Sequence, residues 1–326
     1  MIDYETLRTP CPCNTGRVVI EMRMVVLTKG VPDFREGKVS FDEDGHLERG
    51  KTPTVMNPND KTALRAALQS KVKHGGTVSL MSMGPPGYAE ILQEGMDDVY
   101  ADDLYLLSDR EMGAADTWAT AMTVSTGLEH LDETPDLIFA GFKTADGETG
   151  HTGPQTKWCL DINDAMPDYP LITHVVALDV DEEAGTVRAK RLVEGDVSEI
   201  ETIEADLPAF IVTDPEFEAN YRRAEHRLRH KDFQDATQQR AAEFGEYLAD
   251  DTDKEPTEYE DFHMWNHEVL NLDPDYIGLD GSPTIVAGVD PIPKAPSERE
   301  ATMIQPDDDE GMEEVFEELN QYAVGD

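Results

Sequence analysis

The chain has 326 residues, room for one large domain or two modest ones. Its 27 Lys and Arg against 69 Asp and Glu leave a formal charge of −42, which excludes nucleic acid and anionic membranes as partners, since both demand clustered cations. A hydrophobic fraction of 39% with 10 Phe and 10 Tyr excludes a disordered acidic chain, so the acid coats a folded body.

After a polar leader (1–17), residues 17–28 (RVVIEMRMVVLT) read as a β-branched strand that opens a domain over 18–214. A Gly/Asp-rich loop follows. The Asn57-Pro58 pair then signals a helix start before DKTALRAALQSKV, whose Ala63, Leu64, Ala67, Leu68 and Val72 share one stripe. Residues 77–83 and 103–107 read as strands, and 117–131 as a helix with Trp118, Met122, Leu128 and Leu131 inward. Residues 136–140 (DLIFA) form a short strand, apolar after its opening Asp136. This alternation predicts an α/β fold, a parallel sheet covered on both faces, with ligands at the carboxyl ends of its strands. From residue 171 the pattern changes to antiparallel strands at 172–180, 186–193 and 200–203, then a buried strand at 208–213. Beyond Asp214 the chain is charged and helical to about Leu248 and then loop-rich, with a solvated acidic run at 306–310 and a short helix at 313–319. Residues 215–326 hold too little apolar material for a domain of their own and are expected to form a partner-wrapping arm.

Several chemistries find no support. Cys11, Cys13 and Cys159 cannot build a disulfide framework, and Cys11-x-Cys13 is a chance pair or half of a metal site. There is no G-x-G-x-x-G after the first strand and no G-x-x-x-x-G-K-[ST], which disfavours dehydrogenases and P-loop ATPases. His263 and His267, four apart, are a metal pair only on a helix with a third ligand; otherwise they are loop or core histidines. No apolar run reaches the ~18 residues of a membrane span, and the first thirty residues lack a signal-peptide core, so a soluble cytoplasmic protein is expected. Its surface is self-repelling in dilute buffer and screened at molar salt, the balance of a halophile's protein; an ordinary acidic protein is the alternative.

The most informative stretch runs from Gly141 to Pro154 (GFKTADGETGHTGP). Glycines at 147, 150 and 153 follow the apolar strand, and Pro154 suits a first helical turn. A glycine-rich turn feeding a helix N-terminus offers free N–H groups to an anion such as a diphosphate, and Thr149 and Thr152 add hydroxyls. A plain flexible loop is the alternative. Lys29-Gly-Val-Pro-Asp33, Asn57-Pro-Asn-Asp60 and Ser82-Met-Gly-Pro85 end strands on the same edge and suit either a nucleotide cradle or ordinary turns.

The order K-x-V-P-D, N-P-x-D, S-M-G-P, D-G-E-T-G-H-T-G-P and, over 278–286, G-L-D-G-S-P-T-I-V resembles the β (small) subunit of electron transfer flavoproteins across residues 25–294. The resemblance implies an adenine-nucleotide α-hydrolase-like (Rossmann-like) domain paired with an α subunit that carries the electron-transferring FAD. In the family the small subunit's pocket holds AMP in the simple branch and a second FAD in the quinone-linked and bifurcating branch. The Asp-Gly, Gly-Pro and Gly-Ser-Pro-Thr blocks are similar to the second branch. Lys143-Thr144 and His151 depart from the family pattern on the flavin side. Carried over by that resemblance, the adenine-nucleotide contacts are Leu27, Asn57, Pro58, Asn59, Asp60, Met83, Asp146, Gly147, Glu148, Thr149, Gly150, His151, Thr152, Gly153, Pro154, Gln155, Thr156 and Lys157. FAD is expected ahead of AMP, with no resident metal. The expected role is an electron carrier that relays from dehydrogenases or NADH towards a membrane quinone reductase, rather than a stand-alone enzyme. The rivals are an ATP-pyrophosphate-cleaving enzyme or a nucleotide-sensing stress protein of the same fold. Residues 221–231 (YRRAEHRLRHK) gather five cations, as either a docking segment or a helix paired with the acidic surface.

Overall fold

The structure, a computed structural model, describes residues 22–33, 53–193, 199–221, 223–249 and 259–284. The opening apolar run is strand β1 (Arg23–Thr28), which sends Val25 and Val26 to the cores on its two faces. A small antiparallel ribbon, β2 (Gly30–Pro32) with β3 (Thr54–Met56), leads into α1 (Asp60–His74), where the expected stripe of Ala63, Leu64, Ala67, Leu68 and Val72 is buried. Asn59 holds the N-cap position without a side-chain cap bond, and the Asn57 carbonyl accepts from the Asp60 amide at 3.0 Å. Strands β4 (Thr77–Met83) and β5 (Asp103–Leu107) bracket α2 (Ala89–Val99), a helix with no counterpart in the sequence reading. Its Gly95 is a packing residue: a Cβ there would meet the side chains of Leu80 at 2.7 Å and Met56 at 2.9 Å.

Helix α3 (Thr117–Glu129) is capped by Asp116, whose Oδ1 accepts from the amides of Trp118 and Ala119, both at 2.9 Å. The inward face expected for it needs correcting. Trp118, Met122 and Leu131 are only half-buried, while Ala119, Thr123, Val124 and Leu128 form the buried face. The helix sits too close to the sheet for large side chains, since a Cβ at Gly127 would meet Leu107 at 2.9 Å. Strand β6 (Leu137–Gly141) and α4 (Thr152–Asn163) follow, then the antiparallel run β7 (Leu171–Asp181), β8 (Thr186–Val193) and β9 (Glu199–Asp206), and the fully buried β10 (Ala209–Thr213).

Asp214 is not a boundary of the fold. The chain continues into α5 (Ala224–Ala249), which buries Ala241 and Phe244 in the same core as Leu64 and Leu92, and then β11 (Phe262–Trp265), which pairs parallel with β5. Sequence reading underrated this segment because its apolar residues are sparse and serve a core supplied by earlier elements. The described part of 215–326 therefore completes the domain. The leader with Cys11 and Cys13, the acidic run at 306–310 and the helix expected at 313–319 lie outside the described residues.

Among the described residues nine strands form one sheet in the order β11-β5-β4-β1-β6-β10-β7-β8-β9. Helices α1, α2 and α5 cover one face, α3 and α4 the other. The chain builds outward from β1 through β4 to β5, then returns to lay β6 on the other flank of β1. That reversal opens a crevice at the carboxyl ends of β1 and β6, where such sheets bind ligands.

Candidate functional site

At this switch point α1 begins against the end of β6. A Cβ on Gly141 would lie 2.7 Å from the backbone carbon of Asn59 and collide with the Asp60 carboxyl, so only glycine admits the helix here. Asn57 is wholly buried and ties three segments together. Its amide donates to Lys29 O at 2.9 Å. Its Nδ2 donates to Asp60 Oδ1 at 2.8 Å and Lys143 O at 3.0 Å, and its Oδ1 accepts from the Ala145 amide at 3.2 Å. Asn59 Nδ2 adds a bond to Lys143 O at 2.8 Å. The N-P-N-D motif thus braces the root of the glycine-rich turn, while Pro58 stands exposed beside it.

Asp60 is buried, with one oxygen accepting from Asn57 and the other from the Lys29 amide at 2.8 Å. Burial pushes its carboxyl up to about 7, although both bonds and the Lys29 charge pull downward. The folded state therefore holds this proton more tightly than the unfolded chain. Its contribution to stability falls as pH rises from about 4 to about 7, by at most about 1.4 kcal/mol per unit. Asp60→Asn imitates the protonated form. Urea titrations at pH 4 to 8 should show the variant gaining on the wild type through that window and levelling off above it. A constant difference across the window would contradict the buried-acid assignment.

The turn itself is largely open to solvent: Gly147, Glu148, Thr149 and His151 are exposed. Gly150 sits at φ +65°, where L side chains rarely go, and a Cβ would crowd Phe142 O at 3.2 Å. Asp146 shapes the first bend by accepting from the Gly147 amide at 2.8 Å, and Thr149 Oγ1 accepts from the His151 amide at 3.4 Å. Helix α4 then starts without a side-chain cap, Pro154 stands in its first turn, and Gly153 packs against Ala140 and Val212, each at 3.3 Å from a Cβ there. The first amides of such a helix have no intrahelical partner and carry its positive end. Thr152 and Thr156 bond within the helix, Thr156 Oγ1 donating to Thr152 O at 2.8 Å. Lys157 leans away, its Nζ 2.5 Å from Asp161 and 3.2 Å from Asp168.

Leu27 and Met83 lie half-buried at the ends of β1 and β4, an apolar floor on the α3–α4 side. Two buried polar atoms on the crevice margins, Ser82 Oγ at the end of β4 and Gln155 Oε1 on α4, find no hydrogen-bond partner among the described residues. Unsatisfied polar atoms with apolar walls and free amides fit a nucleotide.

Other polar residues at the strand ends lie outside the carried-over set of contacts. Lys29 Nζ grips Asp146 at 2.7 and 3.0 Å. His174, at φ +56°, bonds Asp214 at 3.2 Å and packs its ring on Phe142, centroids 4.8 Å apart. Ser282 and Thr284 of the G-S-P-T block bind the cap of α3: Asp116 N donates to Ser282 Oγ at 2.8 Å and Thr284 Oγ1 to Asp116 Oδ2 at 2.6 Å. The K-x-V-P-D and G-S-P-T motifs were the only hints, and their partners are more than a hundred residues away.

The remaining candidates fall elsewhere. His263 lies on strand β11 and stacks on Tyr105, while His267 pairs with Asp109, whose carboxylate pulls the imidazole upward. They share no helix, and among the described residues no group of three His, Cys, Asp or Glu could hold a metal. Cys159 is buried, and burial pushes its thiol up to about 11. No described helix is long and apolar enough to cross a membrane.

A mostly parallel sheet whose switch point carries an amide-lined glycine turn defines a Rossmann-like α/β protein. The chain belongs to the electron transfer flavoprotein family: residues 44–240 match the Electron transfer flavoprotein domain. Within it the chain is β-subunit-like. It is 32% identical over 266 residues to the caffeyl-CoA reductase–Etf complex subunit CarD of Acetobacterium woodii, covering 81% of this chain and 86% of that protein. Against the electron transfer flavoprotein subunit beta of Clostridium acetobutylicum it is 31% identical over 265 residues, 81% of this chain and 86% of that one. Protein FixA of Azotobacter vinelandii is 32% identical over 272 residues, with 82% and 83% covered.

Proposed function

We propose that this chain is the small subunit of a heterodimeric electron transfer flavoprotein, in the cytoplasm of a halophile, and binds FAD, or else AMP, at the switch point. The observation that carries the reading is the braced turn from Asp146 to Pro154, rooted by Asn57 and Asn59 and opening onto α4's uncapped amides. With so few cations in the chain, backbone dipoles receive the phosphate. Gly147 and Gly150 leave the space beyond a first phosphate free of side chains, which favours FAD. When bound, the flavin supplies the redox chemistry. The chain's own residues bind and orient it: Leu27 and Met83 floor the crevice, and the first amides of α4, at Thr152 and Gly153, serve the phosphates.

The α subunit completes the carrier, and dehydrogenases or NADH and a quinone reductase exchange electrons with it in passing. Leu228, 65% exposed among Arg223, Arg227 and Arg229 at the start of α5, suits a docking contact with acidic partners.

Gly150→Asp adds bulk at a positive φ and a repelling charge, and should empty this pocket while the α subunit keeps its flavin. The measurement is FAD and AMP released per heterodimer on denaturation. Two FAD and no AMP in the wild type, falling to one FAD in the variant, supports the reading; one FAD and one AMP replaces FAD by AMP in this pocket. An unchanged melting profile shows that the variant still folds.

A further inference from the structure

We propose that Lys29 is the charge-balancing and positioning residue of the phosphate turn, neutralising Asp146 so that the turn can accept an anion; this rests on the nucleotide reading above. The turn needs Asp146, because its Oδ1 takes the Gly147 amide at 2.8 Å and sets the first bend. It needs it at a cost, since a carboxylate beside the anion-receiving amides repels the guest. The carboxyl is partly buried, which works to raise it, but the hydrogen bond and charge of Lys29, with Thr144 and the Gly147 amide, outweigh this and keep it ionised.

Lys29 is built to cancel that charge. It leaves β1 at the switch point, and its backbone is fixed on both sides: its amide donates to Asp60 Oδ2 at 2.8 Å and its carbonyl accepts from Asn57 N at 2.9 Å. From that anchor Nζ reaches both oxygens of a residue 117 positions away. A second lysine repeats the device across the turn, Lys143 Nζ standing 3.6 Å from Glu148. Each acidic side chain of the turn thus has its own lysine, in a chain where acids outnumber bases 69 to 27. With its side chains neutral in sum, the turn meets phosphate through backbone amides alone.

The test is a double-mutant cycle on the full-length chain, at the lowest salt that keeps it folded, with AMP and uncharged adenosine as probes. Lys29→Met should weaken AMP roughly 10- to 100-fold while adenosine changes less than about 3-fold, because only the phosphate meets the exposed carboxylate. Adding Asp146→Asn should restore AMP affinity to within about 3-fold of wild type, and Lys29→Arg should retain it. Equal losses for AMP and adenosine, or a double variant no better than Lys29→Met, would overturn the proposal by reducing Lys29 to a fold contact. Wild type that binds neither AMP nor FAD overturns the nucleotide reading itself. Wild type that binds AMP beside an indifferent Lys29→Met overturns this inference alone.

Discussion

Asp102→Ala is expected to lower the unfolding free energy by about 3–5 kcal/mol, measured by urea titration at constant KCl. Lys71 is 2% exposed, and its Nζ donates to Asp102 Oδ2 at 2.7 Å and to Tyr100 O at 2.5 Å. It also lies 5.0 Å over the ring of Phe233 on α5. The same Asp102 oxygen accepts from the Val78 amide at 2.8 Å. Removing the carboxylate therefore strands a buried ammonium and a strand amide together. The damage should spread to α5, whose Arg240 donates to Asp102 O at 2.8 Å and pairs with Asp261 at 2.6 Å. Lys71→Met should cost less, because the carboxylate left behind is already one-third exposed and can hydrate. A loss below about 1 kcal/mol in Asp102→Ala would mean that the ammonium reaches water after all.

Salt should have the second large effect. Raising KCl from 0.1 M, where charges feel one another over roughly 10 Å, to molar levels, where the range is roughly 3 Å, should lift the melting temperature by roughly 10 °C. That shift needs roughly 7 kcal/mol of relieved repulsion in a chain of net charge −42. One place where acids crowd together lies at the β7–β8 turn, beside the end of α1. There a cleft of 460 Å³ is lined by Asp179, Asp181, Glu182, Glu183 and Glu204, with His74 and Arg188 beside them and Lys73 paired to Asp179 at 2.9 Å. Hydrogen exchange should find the β7–β8 turn loosening first as salt is withdrawn. A melting temperature indifferent to KCl across this range would refute the halophile assignment.

How far each feature was legible in the sequence depended on the range of the interaction that makes it. Strands β1, β4, β5 and β6 and the buried stripe of α1 could be read directly, because β-branched runs and the 3.6-residue period are local properties of the backbone. The turn from Gly141 to Pro154 was legible for the same reason: the spacing of its glycines is a local pattern, and the positive φ of Gly150 a local demand. Where a local signal had a tertiary cause, the reading went astray. The large residues of α3 looked inward and yielded that face to small ones. Strand β11 is four residues long and has no pattern of its own, since its pairing with β5 crosses more than 150 positions. The site was divided in the same way. The turn and the asparagines near it could be read from the order of residues alone. Only the order β4-β1-β6 brought Asn57 under Lys143, buried Asp60 and set Lys29 against Asp146, because a parallel sheet aligns the carboxyl ends of strands that the chain keeps far apart.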